Sequence, residues 1–148
     1  AQLVRDHRVA NLYWPGSTPH LDYVGGFVHR ERGSKTPPDV MAAASRLRAL
    51  AAAYKVGVAK EPKALYFRQT VRDVALPIAR FLMRNQYGPG STFYIAKPER
   101  VDGAFRSGPI DFQVRLDIVS EAIMALMDCM EVYSVDKVEP PESMPPTN

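Results

Sequence analysis

One cysteine, Cys129, stands in the whole chain of 148 residues, so no intrachain disulfide can form and disulfide-stapled secreted scaffolds are excluded. Histidine is nearly as scarce. His7, His20 and His29 all fall early in the chain, and no two of them are one helical turn apart, so no metal clamp is expected. No apolar run approaches the ~20 residues that span a bilayer, and no signal-peptide pattern opens the sequence. Ala1 stands where an initiator methionine would, and processing of the N-terminus is expected. Catalytic signatures are missing too. Gly88-Pro-Gly-Ser-Thr92 has the small residues of a phosphate cradle but neither the lysine nor the strand–loop–helix order of a P-loop, and it reads as a helix stop. The carboxylates form no isolated pair in an apolar setting. Cys129, within an apolar helical pattern, reads as a small buried hydrophobe rather than a nucleophile. The expectation is a chain with no catalytic residues, no cofactor and no metal.

What is present is an ordinary globular composition, 46% apolar and 24% charged, in a length that suits one core. Charge is unevenly placed. Residues 1–116 hold 18 Lys and Arg against 9 Asp and Glu, while residues 117–148 hold Lys137 against 7 acids. Arginine supplies 13 of the 19 cations, and its planar guanidinium grips phosphate bidentately where lysine acts as a point charge. A basic body with an acidic end suits a polyanion on one side, or head-to-tail contact between like subunits.

Periodicity predicts a mainly α protein: a bundle of three main helices, with a long extended arm over residues 1–36, a helical core over 37–138 and a proline-rich tail over 139–148. In the arm, His20–Val24, Gly25-Gly26 and Phe27–Glu31 read as a β-hairpin, since paired glycines allow the positive φ of such turns. An isolated hairpin is marginal in water, so the arm is expected to lie on its own helices or on a neighbouring subunit. The first helix has Thr36 as N-cap, Pro37 at its first position, Asp39 in its first turn and Gly57 as its stop. Val40, Ala44, Leu47, Ala51 and Tyr54 form its apolar stripe. The second helix runs from Lys63 to Tyr87 with Phe67, Val71, Val74, Ile78 and Phe81 on its apolar face and a kink expected at Pro77. Ser91–Ala96 reads as a short extended stretch. The third helix runs from Pro109 to about Ser134. Phe112, Leu116, Val119, Ile123, Leu126 and Met130 make one apolar stripe on it, and Ile110, Val114, Ile118, Ala122, Ala125 and Cys129 a second. A helix apolar over most of its circumference is either the central core element or shared with another chain. The four prolines of the tail favour an extended segment without a core.

Candidate binding residues follow from the basic helices. Arg46, Arg48 and Lys55 on the first, with Arg68, Arg72, Arg80 and Arg84 on the second, would line one positive surface for a nucleic-acid backbone without reading sequence. The opposing reading pairs these side chains with Asp73 or with the acids of the third helix.

Phe67-Arg68-Gln69 near the start of one helix, and Ile110-Asp111-Phe112 at the start of the last, resemble core motifs of coat proteins from flexible filamentous plant viruses. The resemblance implies a structural pairing of Arg68 with Asp111. A small helical chain with a long basic arm and abundant arginine is also similar in size and layout to coat proteins of archaeal rod-shaped and filamentous viruses. The resulting expectation is a non-enzymatic virion subunit. It would polymerise through the arm and the third helix inside the host cell and coat nucleic acid as a nucleocapsid filament, without membrane insertion. The alternative is a non-catalytic accessory subunit of a large protein or ribosomal assembly, mitochondrial in one version.

Overall fold

The computed structural model describes residues 21–27, 30–31, 34–35, 37–56 and 62–135. Three helices dominate: α1 (Val40–Val56), α2 (Pro62–Arg84) and α3 (Leu116–Val135), so the chain is mainly α, as its periodicity predicts. Short 3-10 turns occupy Leu21–Tyr23 and Pro98–Arg100. A two-residue ladder pairs β1 (Arg30–Glu31) with β2 (Ser34–Lys35), antiparallel. Thr36, Gly57, the three histidines and the tail 139–148 lie outside the described residues.

α1 is the middle helix of the bundle, packed on α3 and on α2, which touch each other less. Its expected stripe is buried throughout, from Val40 to Tyr54, together with Ala43 and Leu50. Alanine on this surface lets the neighbouring backbones come close. Capping differs from the expected arrangement. Asp39 is the N-cap, its Oδ1 accepting from the Ala42 amide at 2.6 Å, because a carboxylate can satisfy an orphan N–H of the first turn. The Val40 amide is taken by the Ser107 carbonyl at 2.8 Å.

α2 continues through Pro77, and Val71, Val74, Ala75, Ile78, Phe81 and Leu82 are buried along it. Phe67, expected on this face, is 43% exposed. The paired glycines do not form the expected hairpin turn. Gly25, at φ +93°, lies so close to α2 that a Cβ there would overlap the Pro77 carbonyl oxygen, and one on Gly26 would strike Pro38 and Phe81. These glycines serve close approach to a helix backbone. They deliver Phe27, 1% exposed, into the core, so residues 25–27 lie on the chain's own helices.

α3 begins at Leu116 rather than Pro109. The preceding residues have their backbone bonds elsewhere: Arg106 bridges Val114, Ser107 N–H donates to the Gln113 carbonyl at 2.9 Å, and Gly108 N–H to that of Asp111 at 3.1 Å. Within α3 the second predicted stripe is the core one, with Ile118, Ala122, Ala125 and Cys129 buried.

Ion pairs fix the relative directions. Arg48 meets Glu121 and, further along both helices, Lys55 meets Glu131, so α1 and α3 run parallel. The Tyr133 hydroxyl donates to the Arg72 carbonyl at 2.7 Å, bringing the end of α3 to the middle of α2, and Arg68, one turn earlier in α2, donates to Tyr54 near the end of α1. The end of α2 and the start of α3 therefore lie at the same end of the bundle, yet residues 85–115 separate them. Connections of this kind need only ~2–8 residues.

Gly25→Ala should lower stability by at least about 2 kcal/mol, from strain at positive φ and overlap with α2. Phe27→Ala should cost about 3–5 kcal/mol through the cavity it leaves. Gly90→Ala, where an added Cβ meets nothing, should change little. Urea unfolding of the three variants checks these values.

Candidate functional site

The seven basic residues do not gather on one surface. Arg48 Nη1 bonds Glu121 Oε2 at 2.8 Å, and its Nε bonds Asp128 Oδ2 at 3.2 Å. Lys55 Nζ reaches Glu131 at 2.7 Å. These hydrogen bonds to carboxylates raise both cations above their ordinary pKa values, so they stay charged at any physiological pH. Arg46 turns to the other side of α1, its guanidinium 4.2 Å from the centre of the Phe27 ring. Its Nη1 is buried without a hydrogen bond, so the ring face is its compensating contact.

On α2, Arg68 donates to the Tyr54 hydroxyl at 2.7 Å and lies over that ring. Arg72, one turn on, lies over the Tyr133 ring at 5.0 Å. Arg84 donates to the Val24 carbonyl at 3.1 Å, and Arg80 is exposed. Asp111 accepts from the Gln113 amide at 3.1 Å, and no ion pair joins it to Arg68 among the described residues. The pairing implied by the viral resemblance is not made.

α3 presents a second apolar face to solvent. Leu116 is 85% exposed, Ile123 45%, Met127 60% and Met130 71%. With the exposed serines Ser120 and Ser134 they succeed one another at alternating steps of four and three residues, the 3.5-residue repeat of a helix–helix seam. None of these six positions carries a charge. The acids Glu121 and Asp128 sit on the flank that faces Arg48. Since α1 is the middle helix, the wide apolar circumference of α3 is not explained by a central place in its own core. Cys129 is buried on the core side, and burial pushes its thiol pKa up, which suits packing and not nucleophilicity.

The stop at residues 88–90 and a loop over residues 97–108 are expected from the sequence; the closure of residues 85–115 into one excursion is not. Its base is closed by Tyr87 N–H to the Ala104 carbonyl at 2.7 Å, Gly103 N–H to the Tyr87 carbonyl at 2.9 Å, and Arg106 N–H to the Asn85 carbonyl at 3.0 Å. Phe105 anchors it in the core. Ser91–Ala96, expected as extended, is a run of turns, with Ser91 N–H bonded to the Gly88 carbonyl and Ile95 N–H to that of Thr92. At its surface Phe93, Tyr94 and Phe112 are 86%, 53% and 53% exposed. Phe93 and Tyr94 meet edge to face at 5.3 Å between centroids, and Tyr94 and Phe112 at 6.1 Å. Arg106 lies 5.5 Å over Phe112, whose carbonyl accepts from the Tyr87 hydroxyl at 2.9 Å. Burial, then the neighbouring Tyr94 hydroxyl, raises the Tyr87 pKa, so this phenol stays a donor. The adjacent Phe93-Tyr94 pair in a Gly, Pro and Ser setting was the available signal.

A cleft of about 380 Å³ opens between the start of α1 and the end of the excursion, lined by Pro38, Asp39, Ser107, Ile110 and Arg115 among others. Its polar side chains are committed: Asp39 caps α1, Ser107 Oγ donates to the Gln113 carbonyl, and Arg115 pairs with Asp117 at 2.6 Å. Among the described residues no cluster of three or more His, Cys, Asp or Glu is placed to hold a metal, and no helix is long and apolar enough to cross a membrane.

Tyr133→Phe should lower stability by about 0.5–1.5 kcal/mol, the usual net worth of one hydrogen bond. Tyr133→Leu should add about 0.5–1 kcal/mol by removing the ring under Arg72. Denaturant unfolding of both variants separates the two contributions.

No protein-family model, curated protein or solved structure matches this chain.

Proposed function

We propose that this chain is a structural subunit that enters a larger assembly by pairing α3 with α3 of a second copy. The observation that carries the reading is the uncharged outer face formed by Leu116, Ile123, Met127 and Met130. Contiguous apolar surface of this kind marks interaction sites, and burying what these four side chains expose is worth on the order of 1–2 kcal/mol each. A face without charge suits self-pairing, because two copies meet with no like charges opposed. The 3.5-residue repeat suits a helix as the covering element.

The nucleocapsid reading adds a coat around nucleic acid. It rests on arginines and a lysine that here contact Phe27, Tyr54, Tyr133, the Val24 carbonyl, Glu121, Asp128 and Glu131, with Arg80 exposed. That distribution favours a subunit whose contacts are with protein, the accessory-subunit alternative, over one that presents a phosphate-binding surface.

Sedimentation velocity tests the proposal. The wild-type chain should associate with rising concentration. The Met127→Lys/Met130→Lys variant should remain a monomer with unchanged helical circular dichroism, since both positions are exposed and lysine is a good helix former. A wild-type chain that stays monomeric over the accessible concentration range would overturn the reading. In parallel, oligonucleotide binding that falls steeply with salt, and that flattens in an Arg72→Gln/Arg80→Gln/Arg84→Gln variant, would restore the nucleic-acid coat.

A further inference from the structure

We infer that the aromatic platform of Phe93, Tyr94 and Phe112 is a docking site for the proline-rich acidic segment 139–148 of another copy of this chain. Several observations point to a built surface. The excursion that carries the rings is far longer than the gap it spans, and long ordered loops of this sort are commonly functional. Two exposed rings meet at 5.3 Å, and the third, that of Phe112, lies under Arg106 on a backbone whose carbonyl accepts from the Tyr87 hydroxyl. Rings with fixed geometry lose little conformational entropy on binding.

The chemistry of the surface selects the occupant. Aromatic-lined surfaces recognise proline-rich segments, whose φ is already restricted and whose rings stack on exposed Tyr and Phe. Segment 139–148 supplies Pro140, Pro141, Pro145 and Pro146, with the carboxylates Glu139 and Glu142 and no cation. The excursion carries the cations Lys97, Arg100 and Arg106 to meet them, besides Arg115, which is paired with Asp117. It also carries Glu99, Asp102 and Asp111. A nucleic-acid strand would bring a phosphate at every step past those three acids, whereas a peptide with two carboxylates can place each beside a cation. The local balance of charge favours the peptide.

For Pro140 and Pro141, reach selects another copy. The platform lies near the start of α3, because Phe112 is four residues before Leu116, and segment 139–148 follows its end in sequence. A helix of 20 residues is about 30 Å long. Pro140 and Pro141 are only five and six positions beyond Val135, at most about 20 Å of extended chain. These two prolines fall short of their own platform and can meet that of a neighbour, whereas Pro145 and Pro146, ten and eleven positions beyond Val135, have chain enough to meet either. Such a contact joins two different surfaces, so it propagates head to tail instead of closing as a symmetric pair. It uses residues other than those of the outer face of α3, and each contact is testable without the other.

The test titrates a labelled synthetic peptide with the sequence of residues 138–148 into the full chain, followed by fluorescence anisotropy. Saturable binding is expected, at least tenfold weaker for Phe93→Ser/Tyr94→Ser and for a peptide with Pro140→Ala and Pro141→Ala. Lys97→Glu/Arg100→Glu should weaken the native peptide and favour one carrying Glu139→Lys and Glu142→Lys, a reversal that misfolding could not produce. Met127→Lys/Met130→Lys should bind the peptide as wild type does, whatever its effect on sedimentation. Equal binding by the Phe93→Ser/Tyr94→Ser variant, or absence of binding, would overturn the inference. So would displacement of the peptide by an oligothymidylate strand whose affinity drops steeply with salt, because the platform would then be a base-stacking surface.

Discussion

Small side chains on α1 set the spacing of the bundle, and the rest of the architecture depends on that spacing. Ala43, Ala44 and Ala51 are buried and let α2 and α3 pack on either side of the same helix. With α1 in the middle, α3 needs only one of its apolar faces for its own core. Alanine at 122 and 125 continues this close packing from the α3 side. The larger side chains Leu116, Ile123, Met127 and Met130 are thereby turned outward. An excess of apolar surface on one helix is thus converted into a candidate contact between subunits.

The same geometry governs the charges. α1 and α3 run parallel, so the cations along α1 meet the carboxylates along α3 in order, Arg48 with Glu121 and Asp128, then Lys55 with Glu131. Pairs this exposed contribute little to stability; their consequence here is the removal of a positive surface. The basic body and acidic end visible in the sequence are in part the two sides of this one helix contact. Aromatic rings treat the remaining arginines similarly, Phe27 under Arg46, Tyr54 under Arg68 and Tyr133 under Arg72.

The helices were legible because each carries an apolar stripe at helical spacing, and that of α1 is buried residue for residue. Two apolar stripes on α3 were also legible, but which one faces the core depends on the rotation of α3 against α1, which is a tertiary quantity. The start of α3 was misplaced because Phe112 and Val114 continue its spacing by chance while their backbone is engaged by the strand-like pairing of Arg106 with Val114. Gly25-Gly26 carried a correct signal of unusual backbone, with the wrong cause: a helix passes against it where a hairpin was expected. Of the platform only the adjacent pair Phe93-Tyr94 was visible; its joining to Phe112 was not, since that is made by the fold of the excursion rather than by any period in the sequence.

The central claim is that the outer face of α3 is covered by a second copy in the assembled state. Its most direct test is a concentration series followed through methionine methyl resonances, with Met41 on α1 and Met83 on α2 as internal references. The Met127 and Met130 methyls should shift as the protein is concentrated, while those of Met41 and Met83 stay in place. Stationary Met127 and Met130 resonances under conditions where the protein associates would contradict it.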